Sequence, residues 1–217
     1  MHKRQAIRQA LFLGAGAAGA AAMPNVFAQP ATILQPGRNF RVLNPPQRTE
    51  VAPGKVEVIE FFWVGCPHCR RMEPVIEAWK KLAPDDVQLR KVHVNFRISS
   101  HQQLFYTLVA MEEDERLIEQ VFDTIHDERN NLASEDAVVA WAEDKGLNSD
   151  QFQSTYRSFG VKTAMRKADR QINNYGVDSV PALAVGGRYY TAPSMAGSNA
   201  NAMRVVDALI QKIRDEA

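Results

Sequence analysis

Val56-Glu57-Val58-Ile59-Glu60-Phe61-Phe62-Trp63-Val64-Gly65-Cys66-Pro67-His68-Cys69 is the stretch that decides how this chain folds. Val56–Trp63 is β-branched and aromatic, broken only by two glutamates, and predicts a buried central strand. Helical spacing then runs from Cys66 to Ala83, with Met72, Val75, Ile76 and Trp79 on one side. Pro74 falls inside that helix and predicts a kink, because proline lacks the amide and crowds the preceding turn. The two cysteines of the chain, its only ones, sit where strand meets helix.

Outward from this core, Val87–Phe96 predicts the next strand. From about Ser100 to Tyr175 every periodic signal is helical. The stripes are Leu104, Leu108 and Met111; Leu117, Val121 and Ile125; Ala137, Val138 and Trp141; Phe152, Tyr156 and Phe159; and Met165, Ala168 and Ile172. Ser134 caps one of these segments and Gly146 ends it. Val180–Val185 predicts a strand, Gly186-Gly187 a hairpin turn, and Arg188–Thr191 a strand pairing back. A last helix from Asn199 to Glu216 turns Met203, Val206, Ile210 and Ile213 inward. Before the core strand, Pro30, Pro36, Pro45, Pro46 and Pro53 mark an extended lead-in, with one short edge strand at Phe40–Leu43.

Residues 1–28 read as a secretory signal: Lys3, Arg4 and Arg8, an apolar run from Ala10 to Ala22, and a cleavage site at Val26-Phe27-Ala28 before Gln29. The apolar run is short for a membrane span of about 20 residues, and Lys3-Arg4 is not a twin-arginine motif. Removing the segment takes three positive charges from a net charge of +1 and leaves −2. Neither value suggests a nucleic-acid partner. Export places the cysteines where disulfides persist.

A disulfide across so short a loop stabilises by only about 2 kcal/mol on the chain-entropy model, so the pair is better suited to chemistry than to stapling. Zinc needs about four ligands, and beyond the pair only His2, His68, His93, His101 and His126 could join. Haem attachment needs histidine straight after the second cysteine, where Arg70 stands. Disulfide exchange needs an attacking thiolate and a resolving thiol. Cys66 falls near the helix N-cap and Pro67 suits the first helical position. First-turn amides and the helix dipole then favour the Cys66 thiolate, and His68 adds an N–H or a positive charge. Cys69, one turn deeper, is the shielded resolving thiol.

The run Glu60–Cys69, together with Lys91-Val92-His93-Val94-Asn95-Phe96, Val180-Pro181, the Gly186-Gly187 hairpin and the closing helix, resembles the thioredoxin superfamily and within it the DsbA family of periplasmic thiol oxidases. The resemblance implies an α/β thioredoxin-like fold, a central mixed sheet flanked by helices, formed by residues 29–99 and 176–217. Residues 100–175 would be an inserted all-helical domain. It implies that Cys66 carries the mixed disulfide and Cys69 is its buried partner. Pro181 would be a cis-proline facing them, with the Val180 backbone free to pair with an extended substrate. Glu60 and Lys91 match a buried pair that tunes the thiols and relays protons, although alone they read as solvated strand residues. His93 reads as a satisfied structural histidine.

The expected activity is a monomeric, exported disulfide oxidase acting on reduced, unfolded secreted proteins. A DsbB-type, quinone-linked membrane partner would reoxidise it, with no metal or organic cofactor. The alternatives are a disulfide isomerase or reductase, and a redox-silent peptide-binding chaperone. Trp63 is bulkier than the family resemblance leads one to expect, which leaves the surface beside the cysteines as the open question.

Overall fold

A computed structural model describes residues 34–216; the signal segment at residues 1–28 lies outside them. Five strands form one sheet: β1 (Arg41–Val42), β2 (Val56–Phe62), β3 (Val87–His93), β4 (Ala182–Val185) and β5 (Tyr189–Thr191). Their order is β1-β5-β4-β2-β3, with β2 and β3 parallel and the other pairs antiparallel. All seven residues of β2 are buried, Glu57 and Glu60 included, as its β-branched and aromatic run predicts for a strand covered on both faces.

Alternation along β2 assigns its side chains to different layers. Val58 packs toward α1 (Pro67–Lys80) and α8 (Asn199–Asp215), with Met72, Ile76, Val206 and Leu209. Ile59 and Phe61 face the other way, onto Ala168, Ile172 and Tyr175 of α6 (Phe159–Tyr175). Phe62 reaches a third cluster with Leu104, Leu108, Phe122, Trp141 and Phe152. That cluster is built by α2 (Ser99–Ala110), α3 (Asp114–His126), α4 (Glu135–Asp144) and α5 (Ser149–Tyr156). Five helices thus lie between β3 and β4. A short α7 (Pro193–Ala196) precedes α8.

Several boundaries differ from the sequence expectation. β3 stops at His93 because its partner β2 ends at Phe62, whose carbonyl accepts a last bond from the Val94 amide at 2.8 Å. Helix α1 ends at Lys80 rather than Ala83, with Pro74 inside it. Phe159 is 78% exposed rather than part of a stripe with Phe152 and Tyr156. Ser158 caps a new helix there, its side chain accepting from the Val161 amide, so the periodicity of α5 does not carry across. The hairpin loop holds three residues, and β5 starts at Tyr189. Gly186 and Gly187 both have positive φ, 56° and 65°, where a side chain is strained.

Candidate active site

The loop between β2 and α1 presents the cysteines at the C-terminal end of a central strand. Cys66 is the N-cap of α1 and Pro67 occupies its first turn. The Cys66 amide donates to the Trp63 carbonyl at 2.9 Å, and its carbonyl accepts from the Arg70 amide at 3.0 Å. Both cysteines are free thiols and both are buried, Cys69 completely.

Their electrostatics diverge. A hydrogen bond from the Cys69 thiol, then the Cys69 and His68 backbone amides and the His68 charge, hold the Cys66 thiol down at about 5 against the opposing effect of burial. Burial first, and the Cys66 sulfur next to it, push the Cys69 thiol far above the ordinary range. His68 is exposed, and its Nδ1 lies 2.9 Å from Nη2 of Arg71. The Val180-Pro181 peptide bond is cis, and the Val180 carbonyl oxygen lies 3.6 Å from Cys66 Sγ. Regular strand begins only at Ala182, two residues later than expected.

The family model described as thioredoxin matches residues 52–203. The thiol:disulfide interchange protein DsbA of Bordetella parapertussis is 42% identical over 201 residues, 91% of this chain and 95% of that one. The chain belongs to the DsbA family. DsbA of Burkholderia cepacia is 35% identical over 208 residues, 95% of each chain. The crystal structure of Pseudomonas aeruginosa DsbA superposes with a TM-score of 0.79 at 35% identity, covering 83% of this chain and 94% of that one.

In this DsbA-family chain Glu60 and Lys91 stand opposite each other in the β2–β3 register, but they do not form a simple pair. The Lys91 ammonium is hydrogen-bonded to Glu73 of α1, and lies 3.4 Å from Glu77 and 3.8 Å from Glu60. Neither carboxyl oxygen of the fully buried Glu60 has a hydrogen-bond partner among the described residues. Burial pushes its carboxyl up to about 8, opposed by Lys91 and assisted by Glu73 and Glu77. Glu73 is raised for the same first reason, while the three glutamates raise Lys91 above its usual range despite its burial. A cleft of about 290 Å³, lined in part by Glu77, Arg90, Lys91 and Phe105, adjoins this cluster.

Glu73 is a member of this buried cluster that the sequence reading missed. Its signal was there: Cys69, Met72, Glu73 and Ile76 are the buried positions of α1, a helical spacing that places a glutamate on the apolar face. His93 is buried, and it is only half satisfied rather than the fully satisfied histidine expected. Its Nε2 accepts from the Val64 amide at 3.2 Å, and Nδ1 has no partner among the described residues. Burial holds that ring down at about 3, so it is neutral. Two further histidines reach the active-site turn from the helices: His126 Nε2 lies 2.7 Å from the Val64 carbonyl, and His101 Nδ1 2.9 Å from Trp63 Nε1. Among the described residues no group of three or more His, Cys, Asp and Glu could hold a metal ion, and no helix is long and apolar enough to cross a membrane.

Proposed function

We propose that this chain is a protein disulfide oxidase that donates a Cys66–Cys69 disulfide to reduced, unfolded secreted proteins in the periplasm. The observation that carries the reading is the placement of two neighbouring thiols at the start of α1: Cys66, its N-cap, is held down at about 5, and Cys69, fully buried one turn deeper, is pushed far above the ordinary range. A site that stabilises the Cys66 thiolate stabilises its own reduced form and so gives its disulfide away. A nucleophile near 5 at pH 7 adds up to about 60 mV of oxidising power to the two-electron couple, less what solvent screening removes.

A substrate thiolate attacks Cys66 Sγ, the bond to Cys69 breaks, and its electron pair leaves on the Cys69 sulfur. A second substrate thiol then displaces Cys66, which departs as its stabilised thiolate. The substrate has lost two electrons and gained a disulfide. Pro67 sets the first turn of α1, and His68 favours the Cys66 anion. The Val180 backbone beside Pro181 pairs with the extended substrate, a role supported by the 3.6 Å separation of its carbonyl from Cys66. Glu60, protonated up to about 8, supplies the proton that the Cys69 thiolate takes up. Lys91, with Glu73 and Glu77, relays protons between Glu60 and the neighbouring cleft.

Residues 1–28 are the export signal, cleaved after Ala28, and residues 100–175 form an inserted helical domain that walls the site. The protein acts as a monomer without metal or organic cofactor and has no nucleic-acid partner. A DsbB-type quinone-linked membrane protein returns it to the disulfide form.

Equilibration of Cys66–Cys69 with glutathione buffers tests the reading. The expected potential is well above that of a thioredoxin, at about −270 mV. A value near that figure would make the chain a reductase, and a pair that never exchanges would leave only peptide binding.

A further inference from the structure

Two hydrogen bonds link the segment between α3 and α4 to the active-site turn. His101 Nε2 lies 2.6 Å from the Asn131 carbonyl oxygen, and Trp63 Nε1 lies 2.9 Å from His101 Nδ1. A carbonyl only accepts and an indole N–H only donates. The His101 ring therefore carries one proton, on Nε2, and is neutral in this arrangement. Burial acts in the same direction, holding it below the ordinary histidine range. The indole ring folds over Gly65, where a Cβ would come within 2.4 Å of Cζ2, so the ring can lie there only because residue 65 is glycine. The backbone of Trp63 holds the turn of the first cysteine. Its carbonyl accepts from the Cys66 amide at 2.9 Å.

We propose that His101 is a positioning residue for disulfide exchange: through the Trp63 indole it fixes the Trp63 carbonyl that accepts from the Cys66 amide, and with it the turn that presents Cys66 Sγ. The Cys69 sulfur is the leaving group. When a substrate thiolate bonds to Cys66 Sγ, the Cys66–Cys69 bond breaks and Cys69 departs with the electron pair. A turn fixed in place keeps Cys66 Sγ positioned for that attack. The inference rests on the oxidase reading above, and extends the machinery from the cysteine turn to α2 and the segment beyond α3.

The arrangement is pH-sensitive. A protonated His101 carries N–H on both nitrogens, so Nδ1 can no longer accept from Trp63. The ionisable groups acting on the ring are His93 from β3 and His126 from α3. Neither is a carboxylate that would favour the imidazolium. Below the His101 titration the indole is released from its acceptor.

The test uses the intact mature protein, labelled with nitrogen-15. Among the indole resonances of Trp63, Trp79 and Trp141, Trp63 is assigned by its loss in Trp63→Phe. It is expected to shift as pH falls from 7 to 4, with a midpoint below 6.5, and to stay in place in His101→Gln, whose amide oxygen accepts without titrating. In single-turnover transfer to a dithiol peptide, His101→Ala is expected to be about tenfold slower, the loss of one hydrogen bond to a buried group. His101→Gln should recover most of that rate. The ratio of wild-type to His101→Gln rates, which cancels ionisation of the peptide, should fall below the titration midpoint. A wild-type rate in His101→Ala, or an indole resonance that does not move, overturns the proposal. Should His101→Ala fail to fold, Trp63→Phe keeps the ring without the donor and must show the same slowing. If the wild type transfers no disulfide, the oxidase reading falls, and this proposal falls with it even where the indole titrates.

Discussion

At the scale of the residue, the chemistry of the site is a matter of who faces each sulfur. The Cys66 thiolate is held first by the Cys69 thiol and next by backbone amides, with the His68 charge contributing last. Replacing Cys69 by alanine should therefore raise the Cys66 pKa more than replacing His68 by alanine, which should raise it by less than about one unit. Thiolate absorbance of the reduced protein against pH checks the order; a larger effect from His68→Ala would return the leading role to histidine. Glu60 offers a second test. Its folded pKa of about 8 lies above the unfolded value of about 4.5, so the folded state binds the extra proton. The stability this contributes is complete below about pH 4.5 and is lost as pH rises to about 8. Glu60→Gln removes the titration, so its unfolding free energy should gain on the wild type across that window by a few kcal/mol. Parallel pH profiles of the two proteins in urea would mean that Glu60 is ionised throughout.

At the scale of the element, what was legible followed from how completely an element's surroundings were written in its own residues. Strand β2 was plain because both of its faces are buried and β-branched or aromatic residues occupy both, with Glu57 and Glu60 the only exceptions. Helix α1 was plain in extent but not in meaning, since Glu73 sits on its buried face and a charge there reads as solvent-exposed until Lys91 is seen beneath it. The partners of Lys91 depend on the packing of α1 across β3, which no local pattern encodes. Phe159 escapes a reading by periodicity because a cap at Ser158 breaks a pattern that the sequence alone lets run on. The hairpin between β4 and β5 was legible from two glycines, and the structure adds why the second is fixed. Beyond its φ of 65°, a Cβ on Gly187 would lie 2.0 Å from the Gln47 carbonyl oxygen, backbone that cannot simply rotate away. Gly187→Ala should cost about 2 kcal/mol or more, read as a lower denaturation midpoint with the glutathione equilibrium unchanged. A neutral substitution would mean that the lead-in strap carrying Gln47 moves freely from the hairpin.

At the scale of the whole molecule, the redox couple and the fold share one free energy. The Cys66 thiolate forms only in the reduced state, and its folded pKa of about 5 lies below an unfolded value near 9. The stability it contributes is complete above about pH 9 and is lost as pH falls through about 5. The oxidised form has a different source of stability, the loop entropy of a short disulfide, at about 2 kcal/mol and independent of pH. The reduced form should therefore exceed the oxidised form in unfolding free energy by the widest margin near pH 9. That margin should narrow steadily toward pH 5, where only the opposing disulfide contribution remains. Paired denaturant titrations of the two forms at several pH values measure it. A margin that does not change with pH would mean that the thiolate is not the source of the difference, and that the drive to give the disulfide away comes from strain or packing instead. A narrowing margin would tie the oxidising power of the pair to the helix start, the neighbouring thiol and the amides that surround Cys66.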